Sequence, residues 1–194
     1  YKLARSRTRG ARINLKLCFP ELSDTERETL ERKHVQSFMR GALDHGLLWW
    51  APRRRLEKLI RIEGLEHWLA VKDQPVIWLA PHFMGLDAGG TRLAMDYPAV
   101  SMYGQQKYPY VMQLLLRSRT RFGTAELYSR QDGIKPVIKA IRKGLPFYYL
   151  PDQDFGASDA VFVPFFGVSA ATVTGLSRLA RVGRAKIVPA ISRQ

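Results

Sequence analysis

Val76-Ile-Trp-Leu-Ala80-Pro81-His82-Phe-Met-Gly85-Leu-Asp87-Ala-Gly-Gly90 decides the reading of this chain. It opens as an unbroken apolar strand, passes through a short turn, and resumes as a helix over Leu86–Met95. The same alternation repeats outward. β-rich runs occur at Leu59–Ile62, Val76–Ala80, Ala99–Tyr103, Ala125–Tyr128, Phe147–Leu150 and Lys186–Pro189. Helical stretches fit between most of them, at Leu86–Met95, Tyr108–Arg119, Ile134–Lys143 closed by Gly144, and Thr174–Val182 closed by Gly183. Strands alternating with helices predict an α/β fold: a largely parallel mixed sheet flanked by helices. Ahead of it, Ser23 and Glu26 form a capping box, and Leu30, Val35, Phe38, Met39 and Ala42 predict an N-terminal helical extension over Asp24–Leu48. Pro52 stops its continuation, and three arginines follow.

Composition bounds the function. At 194 residues, 46% of them apolar, the chain builds one core, so residues 1–194 are read as a single domain. The balance of 31 basic and 17 acidic side chains leaves a net charge of +14, which points to acidic partners. One cysteine, Cys18, excludes an internal disulfide framework and a Cys-rich zinc module. The first twenty residues carry six cations (Lys2, Arg5, Arg7, Arg9, Arg12, Lys16) and no acid, and the chain starts at Tyr1, so a fragment or processed form is expected. The longest uncharged stretch, Ala160–Ser177, is broken by Pro164, Gly167 and Gly175 and makes a poor spanning helix.

Candidate chemistry lies where strands end, as expected for open α/β sheets. His82 follows the Val76 strand and Asp87 comes five residues later, a step that regular helix or strand would turn apart. Met84-Gly85 can fold them together, making Asp87 the orienter of a histidine base. The bland alternative is a loop histidine beside a carboxylate that favours a helix N-terminus. After the Phe147 strand, Asp152-Gln-Asp154 suits metal binding, substrate orientation or simply Asx turns. Arg130, at the end of the Ala125 strand, suits a phosphate or carboxylate held bidentately, or a loop tie to Asp132. His34, His45 and His67 stand without clustered ligands and read as structural. There is no Walker loop, G-x-G-x-x-G, H-E-x-x-H or complete nucleophile elbow; Gly167-Val-Ser169 is only half of the last.

Taken together, a histidine and an aspartate separated by four residues after a buried strand, Tyr149-Leu-Pro-Asp-Gln-Asp-Phe-Gly156, Phe162-Val-Pro-Phe-Phe-Gly167 and Ala171-Thr-Val-Thr-Gly-Leu-Ser-Arg-Leu-Ala-Arg181 resemble the lipid A biosynthesis acyltransferase family, the late lauroyl and myristoyl enzymes of Gram-negative bacteria. The resemblance runs from about Leu17 to Pro189. It implies His82 and Asp87 as catalytic residues, and Arg130, Asp152 and Asp154 in the acceptor-binding blocks of the wider glycerolipid acyltransferase superfamily. Val188-Pro189 resembles a fourth block. Asp-Gln-Asp stands where that superfamily carries Glu-Gly-Thr. The resemblance further implies no cofactor and no metal; acyl-acyl carrier protein is the donor substrate and a hydroxyl of a lipid A precursor the acceptor, in lipopolysaccharide biosynthesis. Similar proteins sit on the cytoplasmic face of the inner membrane through an apolar helix ahead of this region and continue past the equivalent of Gln194, so truncation at both ends is expected. The basic excess suits the acidic carrier protein, the phosphorylated acceptor and an anionic membrane surface alike.

Other readings are a related enzyme acting on another glycolipid or phospholipid, a serine hydrolase using Ser169 with His82, and a basic nucleic-acid-binding module, for which no motif appears. The uncharged aromatic run Val161–Phe166 is expected to line an apolar slot that measures the acyl chain.

Overall fold

The computed structural model describes residues 5–123, 125–153, 156 and 160–194, with side chains from Thr8 onward. The chain divides into two compact units, residues 1–43 with 154–173 and residues 44–153 with 174–194.

The larger unit is built on five parallel strands: β1 (Val76–Leu79), β2 (Ala99–Tyr103), β3 (Ala125–Ser129), β4 (Phe147–Tyr149) and β7 (Lys186–Pro189), in the order β3-β2-β4-β1-β7. Between them run the helices α5 (Leu86–Asp96), α6 (Pro109–Thr120), α7 (Lys135–Arg142) and α8 (Gly175–Gly183), which agrees with the α/β layering expected from sequence. Strand alternation sorts the core into two faces. On one, Ile77, Val100 and Phe147 bury against Val137, Ala140 and Ile141 of α7 and Leu179 of α8. On the other, Val76, Trp78, Ala80, Ala99 and Tyr148 bury with Trp68 of α4 (Leu65–Leu69). A third cluster joins Leu48 of α2 (Asp24–Trp50) and Ala51 to Leu56 of α3 (Arg53–Leu59) and Met95 of α5.

Two details aim the strand ends. Gly90 lets α5 lie flat on the sheet, since a Cβ there would stand 3.2 Å from Cε1 of Tyr148. Gly85 takes the left-handed conformation, φ 85°, that turns the chain from the His82 loop into α5 without steric cost.

The smaller unit pairs helices with a hairpin. α1 (Arg5–Cys18) is tied to α2 by Arg12, whose Nε and Nη2 reach the Glu31 carboxylate at 2.9 and 3.1 Å. The expected capping box is present: the Ser23 N–H donates to Glu26 Oε2 at 2.8 Å, and the Glu26 N–H to Ser23 Oγ at 3.3 Å. β5 (Ala160–Phe165) and β6 (Val168–Val173) form an antiparallel ribbon in which Phe165 pairs with Val168. Its two-residue turn holds Phe166 and Gly167 at φ 50° and 74°, the primed geometry that matches strand twist.

Two expectations need correction. Leu59–Ile62 is not a strand: Leu59 ends α3, and Ile60 caps it, its N–H donating to the Leu56 carbonyl. Burial of Leu56 against Leu48 and Met95 decides the conformation there over β-propensity. The run Val161–Phe166 does not line a closed slot either. Phe162, Phe165 and Phe166 are 62%, 59% and 53% exposed on the ribbon.

We expect Phe147→Ala, which empties a fully buried site, to cost about 3–5 kcal/mol in urea unfolding. Phe162→Ala should stay within about 0.5 kcal/mol of the parent. A large cost at Phe162 would mean that the ribbon aromatics belong to a core.

Candidate active site

The strand register builds the site. In the parallel pair β1 and β4, Leu79 stands opposite Tyr149, and the ladder runs one step further as the Ala80 N–H donates to the Tyr149 carbonyl at 2.8 Å. Each strand then reaches a proline, Pro81 or Pro151, which has no N–H to continue the ladder. The third residue beyond each paired position is His82 on one strand and Asp152 on the other. Equal offsets bring them side by side.

Asp152 holds the histidine at two points: Oδ2 accepts the His82 backbone N–H at 2.7 Å, and Oδ1 lies 2.6 Å from Nδ1. Both side chains are partly exposed at the strand ends. Burial pushes the Asp152 carboxyl up, but the ring and backbone hydrogen bonds from His82 outweigh it and hold the group below the usual aspartate value. An ionised Asp152 accepts a hydrogen bond from Nδ1–H, which leaves Nε2 as the ring atom able to take a proton from a ligand.

Asp87 goes elsewhere, a correction to the expected pairing. It stands in the first turn of α5, where Oδ1 accepts from Nη2 of Arg119 at 2.7 Å and Oδ2 lies 3.3 Å from Nε2 of His45. The turn at Gly85 starts α5 so that Asp87 meets α6 and α2 instead of the His82 ring. Burial raises its pKa, yet His45 and Arg119 overcome that and hold the carboxyl down at about 2. The neighbouring Tyr148 hydroxyl donates to the Leu86 carbonyl at 2.9 Å, and burial first, with the Asp87 charge adding to it, pushes its pKa up to about 12.

Arg130 begins a one-turn 3-10 helix after β3, capped by reciprocal bonds between Ser129 and Asp132, so Asp132 serves the turn. From the sheet edge, Arg130 Nη2 reaches Gln153 Oε1 at 3.4 Å, which brings it to the loop that holds Asp152. Asp154 lies outside the described residues. Ser169 is the second residue of β6, opposite Pro164, not on the strand-to-helix turn that a nucleophile elbow requires. Sequence reading missed His45 and Arg119, which come from distant helices and carry no local signal. The Asp152 contact did have one: apolar strand, proline and polar residue recur in Leu79-Ala-Pro-His82 and Tyr149-Leu-Pro-Asp152. Among the described residues there is no group of three or more His, Cys, Asp or Glu side chains able to hold a metal ion, and no helix is long and apolar enough to cross a membrane.

Comparison with known proteins places this geometry in a family. The bacterial lipid A biosynthesis acyltransferase family matches residues 1–193. A lipid A biosynthesis acyltransferase of Haemophilus influenzae is 36% identical over 196 residues, covering 100% of this chain and 61% of its own length. The lipid A biosynthesis lauroyltransferase of Escherichia coli is 36% identical over 93% of this chain and 60% of its own, and the myristoyltransferase of the same organism 34% identical over 97% and 59%. The chain thus spans about 60% of the length of these curated relatives. It belongs to the bacterial lipid A biosynthesis acyltransferase family.

The depressed Asp87 pKa carries a sign. Because the folded value, about 2, lies below the ordinary 3.8, the stabilisation is complete above pH 4 and is lost as pH falls toward 2. At about 1.4 kcal/mol per pH unit this amounts to about 2 kcal/mol. Asp87→Asn should therefore lower neutral-pH stability by about that much and flatten the acid limb of the urea midpoint against pH. An unchanged acid limb would remove Asp87 from this network.

Proposed function

We propose that this chain transfers a fatty acyl group from the thioester of an acyl carrier protein to a hydroxyl of a lipid A precursor, at the cytoplasmic face of the Gram-negative inner membrane. Family membership supports the acyl-transfer class, and the +14 net charge suits an acidic carrier, a phosphorylated acceptor and anionic lipid. The observation that carries the mechanism is the 2.6 Å contact between His82 Nδ1 and Asp152, because it commits the imidazole to one tautomer.

In this reading the acceptor hydroxyl gives its proton to His82 Nε2 as its oxygen attacks the thioester carbonyl. The tetrahedral intermediate collapses with cleavage of the C–S bond, and the leaving thiolate takes the proton back from the imidazolium. Atoms and charge balance without a covalent enzyme intermediate and without a cofactor. Asp152 takes the orienting role expected of Asp87. Asp87 acts through position: its ion pair with Arg119 fixes the first turn of α5, five residues from the base. Arg130 is the acceptor contact, its planar fork matching a phosphate or carboxylate.

His82→Ala should lower acyl transfer by about a hundred- to ten-thousandfold in folded protein, assayed with acyl carrier protein thioester and detergent-dispersed acceptor. Turnover close to that of the parent ends the assignment of the base. Asp152→Asn should lower kcat at least tenfold; an effect on KM alone would make Asp152 a binding residue instead of the orienter. For Arg130, the informative change is to lysine, which keeps charge but loses the fork. A raised acceptor KM in Arg130→Lys supports bidentate contact, and parent-like kinetics in both Arg130→Lys and Arg130→Ala overturn it.

A further inference from the structure

The β5–β6 ribbon carries no charge from Ala160 to Val173. Successive residues of a strand point to opposite faces, and here both faces are open: Val161, Val163 and Phe165 stand exposed on one, Phe162 on the other. At the turn, the Phe166 ring meets Phe165 at 4.8 Å and Phe19, just past α1, at 5.1 Å between centroids. Phe19 leads back along α1 to Leu17 and Ile13, one helical turn apart and about half exposed. The apolar surface is therefore continuous from helix to ribbon within the smaller unit.

Cations flank its helical part. α1 carries Arg5, Arg7, Arg9, Arg12 and Lys16 and no acid. Exposed Arg9 lies one turn before Ile13, and exposed Lys16 lies beside Leu17. Arg12 cancels the carboxylate of Glu31, which is only 2% exposed, so no negative charge faces outward at that point. Apolar side chains framed by cations complement a surface whose outer layer is anionic and whose interior is hydrocarbon. A protein partner would cover one face of a two-stranded ribbon. A bilayer surrounds both faces, and both faces are apolar.

We propose that the tip of this ribbon, Phe162, Phe165 and Phe166, together with the Ile13 and Leu17 stripe of α1, inserts into anionic phospholipid, with Arg9 and Lys16 at the headgroups. This deepens the membrane placement proposed above, rests on it, and assigns the contact to particular side chains.

The test uses the 194-residue chain and sedimentation with phosphatidylcholine vesicles, with and without phosphatidylglycerol. We expect binding to the phosphatidylglycerol vesicles that weakens as salt rises. Phe162→Ser with Phe165→Ser should lower the partition coefficient at least tenfold. Arg9→Glu with Lys16→Glu should abolish the preference for phosphatidylglycerol. Because all four side chains are exposed, both double variants should keep the parent circular dichroism and the parent kcat on detergent-dispersed acceptor. Parent-like partitioning of the phenylalanine variant overturns the proposal, as does a parent chain that stays in the supernatant with every vesicle. Parent-like partitioning joined to lost affinity for acyl carrier protein would reassign the surface to the carrier. Failure of the acyl-transfer reading is a separate result: no product from the parent chain in detergent, whatever its vesicle binding.

Discussion

The register between β1 and β4 is the constraint on which the site depends. Parallel pairing of Ile77 with Phe147, Trp78 with Tyr148 and Leu79 with Tyr149 is fixed from both sides of the sheet. Ile77 and Phe147 must face α7 and α8, while Trp78 and Tyr148 must face Trp68 and α5. A slip of one residue would turn each of these side chains to the wrong layer. With the register locked, two three-residue steps through Pro81 and Pro151 suffice to bring His82 to Asp152. The precision of the dyad thus comes from the core, and the loops only have to be short.

Proximity in sequence and proximity in space diverge here. His82 and Asp87 sit on one short segment, which makes their partnership the natural reading of the chain. Yet the turn that brings α5 onto the sheet also carries Asp87 to Arg119 and His45. Two carboxylates at the ring would repel each other and compete for Nδ1. The fold separates them, giving Asp152 the histidine and Asp87 a guanidinium. Histidine and arginine keep the two groups ionised, each below the ordinary aspartate value despite burial.

The strands were legible because a parallel sheet covered on both faces demands continuous apolar runs, and Val76–Ala80, Ala99–Tyr103 and Phe147–Leu150 have them. Leu59–Ile62 looked similar, but a four-residue apolar run cannot by itself distinguish strand from helix end. Legibility stops where pairing is non-local. Nothing around Asp87 or Arg119 states which helix will meet it, because that information lies in how the helices pack on the sheet. The hairpin shows another limit: Val161–Phe166 has the composition of a core strand, and only the structure shows that side chains on both of its faces are exposed.

The two units divide the chain's chemistry unevenly. In the larger one, Asp152 occupies Nδ1 of His82 and Asp87 is occupied by Arg119 and His45, which leaves Nε2 of His82 facing away from both carboxylates. In the smaller one, the apolar groups are left over. The ribbon has no charged residue to blunt its edges and only two strands, too few to stabilise a sheet independently in water. An exposed ribbon of this composition is an aggregation hazard unless its surroundings satisfy it. Arg9 and Lys16 of α1, which Phe19 and Phe166 join to the ribbon, oppose self-association by mutual repulsion while favouring an anionic surface. Charge and hydrophobicity therefore point to the same environment.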